Sequence, residues 1–272
     1  MFMRHLTFIM LLFIVLVSVQ CSPTLFPSEP DADVTGKTDT NNEEGDPSSS
    51  SGEDYDAAGP SSSSDKDDDA ASDGDILWDS LAEVDWTVAW TGYGLVTFDD
   101  SGILMEPMAS TEEDETHSSF VLSNQALDNP VQDFKITLLI TNQEHLRTPT
   151  PNTWEVFWLF FNFTTDDTYD TREGNYFILK TNGIELGTYE NLGVEHQTFL
   201  ATENEPQVII GVSNEWVIEK QGQVLNAWID GVLVMTYDGT TEDDPLLDQA
   251  GTFGLYTEDA RVLVHSVEIM PY

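Results

Sequence analysis

The stretch Trp154-Glu-Val-Phe-Trp-Leu-Phe-Phe-Asn-Phe163 constrains this chain more than any other. Eight of its ten residues are apolar, and six of those are Phe or Trp. It is too short to cross a bilayer as a helix, and its aromatic content favours a strand. A strand with one solvated face alternates apolar with polar residues. This one is apolar at both parities, so both of its faces must be covered. One parity reads Phe157, Leu159, Phe161, Phe163 and is expected to be core. The other reads Trp154, Val156, Trp158, Phe160, Asn162, and is expected to look into a groove. The alternative is a sandwich strand with a second aromatic cluster under a loop.

The segment that follows repeats the pattern. Asn175-Tyr-Phe-Ile-Leu-Lys-Thr181 puts Phe177 and Leu179 on one side and Tyr176, Ile178 and Lys180 on the other. Asn182-Gly183 marks a hairpin turn, and Ile184–Tyr189 returns. The centre of the chain therefore reads as an antiparallel sheet whose second face is aromatic and lightly polar.

The ends of the chain differ from this centre. Residues 1–21 carry no acid, and Arg4 precedes an apolar stretch from Leu6 to Val17, the form of a secretory signal. Cys21 is the only cysteine, so no intramolecular disulfide forms. A lone Cys directly after such a stretch resembles the lipobox of bacterial lipoproteins, although Gln20 departs from the usual small residue there. The resemblance implies lipidation at Cys21 and an anchored protein at the bacterial outer membrane or cell surface. Residues 22–75 hold the serine runs 48–51 and 61–64 and the aspartate run 67–69. So few aliphatic residues cannot offset chain entropy, and a disordered, self-repelling acidic tether is expected. Asp31–Gly36 with Asp39 is similar to the first half of a calcium loop, but Asn42 stands where the closing Glu belongs.

From Ile76 the chain reads as one all-β domain, 76–272. The whole chain has 50 acids against 9 Lys and Arg. That balance argues against nucleic acid and against anionic membrane surfaces as partners. Strand patterns follow at short spacing: 86–90, 95–98, 103–105, 119–122, 133–141, 198–201, 208–211, 214–220, 224–229, 232–236, 251–256 and 262–269. No window of helical length shows a helical period. The expected fold is a two-sheet antiparallel jelly-roll sandwich behind the disordered linker.

The strings Trp154–Trp158, Tyr176–Lys180 with Gly183, Asn214–Ile218, Asp230–Val234 and Gly251–Tyr256 with Val262–Val267 resemble the concanavalin A-like lectin and glucanase superfamily. Within it the chain resembles laminin-G-like domains and 3-keto-disaccharide hydrolases. The resemblance implies a jelly roll whose concave sheet cradles an extended glycan. It also implies a structural calcium, for which Asp79 and Glu268 are the candidate ligands, although His265 or Ser266 holds the usual last-strand position.

Stacking of sugars needs flat aromatic faces with polar groups beside them. Trp158, Asn162, Tyr176 and Lys180 share the non-core parity, and Trp216 and Trp228 are candidates to add to it. Alternatively, these Trp residues fill the sandwich. The Glu-x-Asp-x-x-Glu strand of laminarinase-type enzymes does not occur, and no catalytic residue is assigned. A tethered glycan-binding or adhesion module is the leading reading. A glycoside hydrolase or lyase and a protein-interaction domain are its rivals.

Overall fold

The computed structural model describes residues 79–112, 115–242 and 245–272. The signal segment with Cys21, the tether over 22–75 and the run Asp31–Gly36 lie outside them.

The described chain runs through a 3-10 turn (Glu83–Asp85), β1 (Trp86–Trp90), β2 (Leu95–Asp99), β3 (Gly102–Glu106), β4 (Ser118–Ser123), the short α1 (Asn124–Asp128) and β5 (Phe134–His145). It continues through β6 (Phe157–Thr165), β7 (Arg172–Lys180), β8 (Gly183–Asn191), β9 (Glu195–Glu203) and β10 (Ser213–Gln221). It ends with β11 (Val224–Ile229), β12 (Val232–Asp238), β13 (Thr252–Glu258) and β14 (Ala260–Pro271). They form two seven-stranded antiparallel sheets, in the orders β1-β4-β13-β6-β7-β8-β9 and β12-β11-β10-β5-β14-β3-β2. This is the sandwich that the alternating strand patterns require. The run 208–211 is not a strand: Val208 donates its N–H to the Lys180 carbonyl and the chain then turns.

Between the sheets lies the first aromatic parity. Trp216 of β10 sits edge-on to Phe157 at 5.3 Å and to Phe177 at 5.4 Å. Phe134 of β5 meets Phe161 at 5.5 Å and Phe253 at 4.8 Å. Burying each such ring contributes about 1.5–3 kcal/mol relative to leaving it in water. Lys220 also points inward but ends at the sandwich rim. There its ammonium donates to the Gln132 carbonyl and pairs with Asp248 at 2.9 Å and Asp133 at 3.4 Å.

Two local features depart from the sequence expectation. β6 begins at Phe157 rather than Trp154, because the Glu155 carboxylate is drawn out of the strand line to the Arg147 guanidinium and to Asn152. Asn162 adopts φ +48°, and the β6 register slips on both sides of it. That bulge reverses the parity beyond it. Phe163, expected in the core, instead packs on Phe120 at 5.2 Å and Phe160 at 5.7 Å on the opposite face.

The hairpins follow the turn chemistry. Asp230 and Gly231 both have positive φ and join the paired residues Ile229 and Val232. In the β7–β8 hairpin the two-residue loop is Thr181-Asn182, and Gly183 already pairs with Lys180 at φ +134°. A Cβ at Gly183 would lie 1.9 Å from the Glu203 carbonyl oxygen of β9, so only glycine fits.

The described chain enters at Asp79 and reaches Trp86, which pairs with Ser123 at the same end of the sandwich as Asn162 and Thr252. Phe157 and Thr257 pair at the opposite end, where β6 starts and β13 stops.

Candidate functional site

The face of the first sheet that looks away from the second is aromatic across its middle strands. One cross-strand row runs Trp90, Phe120, Tyr256, Trp158, Ile178, Glu185, Thr202. The next runs Leu122, Gly254, Phe160, Tyr176, Gly187, Phe199. The rings form a contiguous layer: Trp158 lies 5.0 Å from Tyr176 and 5.7 Å from Tyr256, and Phe160 lies 6.1 Å from Tyr189.

Glycines let these rings lie along the sheet. A Cβ at Gly187 would come within 2.4 Å of the Tyr176 hydroxyl oxygen, and one at Gly254 within 2.4 Å of the Phe120 ring. A Cβ at Gly174 would come within 2.9 Å of Phe163. Three rings thus rest over neighbouring strands where no side chain stands.

Polar groups edge this pavement. Glu185 accepts from the Tyr176 hydroxyl at 2.9 Å and binds the Lys180 ammonium. Burial, with the adjoining Glu185 carboxylate, holds the Tyr176 phenol well above its usual range. Glu195 accepts from Tyr189 at 3.2 Å, with Arg172 at 3.9 Å. The Arg172 guanidinium lies 5.5 Å over Trp90, and Tyr169 of the β6–β7 hairpin stands edge-on to that ring at 6.0 Å. The hairpin thus folds back over the sheet's outward face.

The expected constellation divides. Trp158, Tyr176 and Lys180 share the outward face, as their parity requires. That face is not open to solvent along its middle, however: Trp158 is 3% exposed and Tyr176 fully buried. The Trp158 indole N–H is satisfied by the Trp154 carbonyl at 2.9 Å. Asn162 is a structural stitch, donating its amide to the carbonyls of Val131, Gln132 and Gln249. Trp216 belongs to the core between the sheets. Trp228, alternating with buried Ala227 and Ile229, is on the outer side of the second sheet. The accessible aromatic of the pavement is Phe199, 60% exposed on edge strand β9 and paired with Gly187.

Asp79 precedes the first sheet, and Glu268 is exposed on the outer side of the second. Among the described residues no group of three or more His, Cys, Asp or Glu is arranged to hold a metal ion. In the hairpin loop Asp166–Asp170, the Asp166 carboxylate accepts from the backbone and hydroxyls of Thr168 and Thr171 and from the Asp170 N–H. Those bonds, the Thr171 hydroxyl foremost, pull its pKa down to about 2.

A second cluster was missed by sequence reasoning. At the end where β6 starts, Arg147 binds Glu155 and Asp259 and faces a cleft of about 410 Å³ lined also by Thr111, Glu112, Thr148, Pro149, Thr150 and Asn152. Glu258 lies beside this cluster, fully buried. Burial pushes its carboxyl up to about 8, the Tyr256 hydroxyl offsets part of the rise, and Asp259 and Glu155 add to it. The available signal was scarcity: the segment 76–272 holds only Lys135, Arg147, Arg172, Lys180, Lys220 and Arg261 as cations.

No family model and no curated protein matches the chain. Among solved structures it is similar to a Bacillus subtilis protein of unknown function described as galectin-like in fold. The TM-score is 0.51 at 13% identity, over 72% of this chain and 96% of that one. The carbohydrate-binding module CBM66 from Bacillus subtilis matches with a TM-score of 0.48 at 16% identity, over 68% of this chain and 95% of that one. A family 16 endo-glucanase from Bacteroides ovatus matches at 0.47 and 12%, over 72% and 100%. At these identities the likeness is one of fold, and it bears out the expected two-sheet antiparallel sandwich.

Proposed function

We propose that the chain is a glycan-binding module whose ligand engages the pavement of the first sheet from its β7–β9 flank. The observation that carries this is Phe199, 60% exposed on edge strand β9 and paired with Gly187, over which the buried Tyr176 ring lies, so that one open aromatic face borders the closed layer. Sugar rings stack on such surfaces, and their hydroxyls need paired polar groups beside them. On this flank Tyr176 lies over Gly187 beside exposed Phe199, with Lys180, Glu185 and Thr202 as the polar edge. Trp158 packs beside Tyr176 within the layer and is 3% exposed, so it offers no free face. A glycan array probed with the protein, followed by titration of Phe199→Ala, tests the reading. The expected loss is about 1–3 kcal/mol of affinity, as for other aromatic stacking positions. Unchanged binding by Phe199→Ala, or an array without a hit, ends it.

The second reading, hydrolysis of a glycan, is favoured by one observation: Glu155 and Glu258 are buried carboxyls beside a cleft, and both are held above their ordinary range by burial. Release of reducing ends from a bound glycan, lost in Glu258→Gln, would establish it in place of simple binding.

We also propose that Cys21 anchors the module to a bacterial membrane, on the strength of its place directly after the apolar segment. Cys21→Ser is expected to move the protein from the membrane to the soluble fraction. Wild-type protein that takes up no labelled palmitate would remove the proposal.

A further inference from the structure

The cluster around Arg147 has a second property, independent of any glycan. The guanidinium ties distant parts of the chain together. Its Nε binds Glu155, and its Nη2 binds Asp259 at 2.9 Å. Nη1 donates to the Glu112 carbonyl at 2.7 Å and Nη2 to the Glu115 carbonyl at 2.6 Å. Asp259 in turn accepts the backbone N–H of Ser110 at 2.7 Å and of His117 at 3.3 Å. One guanidinium and one aspartate thus hold Ser110, Glu112, Glu115 and His117 to the sandwich, while Met108 nearer β3 donates its N–H to the Gly92 carbonyl at 2.9 Å.

Two carboxyls, Glu155 and Asp259, bind that guanidinium, and a third, Glu258, lies within reach of its charge without touching it. Glu258 has one oxygen on the Tyr256 hydroxyl at 2.7 Å, and its other oxygen is buried without a hydrogen-bond partner. Glu155 likewise has one buried oxygen without a partner. If all three were ionised, two negative charges would remain uncompensated in a site withdrawn from water, where repulsion is poorly screened. A proton on Glu258 removes one of them.

We infer that the Arg147 hub is a pH-operated latch, in which ionisation of Glu258 loosens the hold of Arg147 and Asp259 on Ser110, Glu112, Glu115 and His117. The groups facing Glu258 are Tyr256 on its own strand, Ser118 on β4, Asp259 next in the chain, Arg147 from the β5–β6 connection and Glu155 ahead of β6. His117 lies beyond Asp259, its Nδ1 on the Met108 carbonyl and its Nε2 3.1 Å from Glu115. Burial raises the Glu155 and Asp259 carboxyls as well, in the same sense. A buried acid with a raised pKa binds its proton more tightly folded than unfolded. The stabilisation it brings is therefore complete below the ordinary value of 4.5 and lost as pH rises through about 8.

Hydrogen exchange at the Ser110 and His117 amides, corrected for the intrinsic pH dependence of exchange, tests this on the whole protein. Local opening should rise by up to about a hundredfold between pH 6 and pH 9, about one decade per pH unit until it levels off above pH 8. Amides in the middle of β5 should not follow. Glu258→Gln, neutral at every pH, should abolish the rise. Should that variant fail to fold, Tyr256→Phe serves instead: removing the hydroxyl that favours the ionised acid should move the midpoint upward. A flat wild-type profile overturns the latch. So does a rise that survives Glu258→Gln, or a Tyr256→Phe midpoint that stays put or falls.

Discussion

At the scale of single residues, Trp158 packs against Tyr176 at 5.0 Å and Tyr256 at 5.7 Å on neighbouring strands and against Phe160 at 6.3 Å on its own, and is 3% exposed. Alternation sets the side of β6 that it takes, not this depth. Trp158→Ala is therefore expected to cost about 3–5 kcal/mol, the range of a buried aromatic truncation and the same range as Phe161→Ala. Denaturant melts of the two variants side by side check this. A loss under about 1 kcal/mol for Trp158→Ala alone would mean that its ring is dispensable to packing. Asn162 shows another limit of reading by residue type. An asparagine closing an apolar strand reads as a polar tip for a ligand, yet its amide satisfies three backbone carbonyls and its positive φ shifts the register. Nothing local in the sequence announces a bulge that depends on partners 30 and 87 residues away.

At the scale of elements, most strands were legible, because β-branched and aromatic alternation and turn dipeptides such as Asp230-Gly231 act over a few residues. The glycines inside strands were not. Gly174, Gly187 and Gly254 carry no signal apart from their neighbours, and their meaning depends on which ring the cross-strand partner brings. Gly187→Ala is expected to destabilise the protein by about 1–3 kcal/mol, the cost of overpacking, because the Tyr176 phenol must give way. The double variant Gly187→Ala/Tyr176→Phe still keeps a ring over that Cβ and should recover little. Gly187→Ala/Tyr176→Leu should recover more of the overpacking penalty, measured as a cycle against Tyr176→Leu alone. Additive losses across that cycle would mean that the ring and the glycine do not depend on one another.

At the scale of the whole molecule, charge sets the conditions. The chain carries a formal charge of −41, and the six cations of 76–272 stand against a large excess of carboxylates. Five of those six, Arg147, Arg172, Lys180, Lys220 and Arg261, form ion pairs that cross between strands or loops. Self-repulsion among the remaining acids favours the unfolded chain and is screened at high ionic strength. The midpoint of thermal unfolding should therefore rise on going from about 10 mM to about 500 mM sodium chloride. A falling midpoint would mean that the five ion pairs, also weakened by salt, outweigh the bulk repulsion.

The place where the described chain enters has a directional consequence. Asp79 leads in at the end of the sandwich marked by Trp86 and Ser123, while Arg147 and its cleft belong to the end where β6 starts. Were the protein leashed through Cys21, that leash would arrive at one pole. The cleft lies at the other pole, far from that point of attachment, and the paved flank lies between the two.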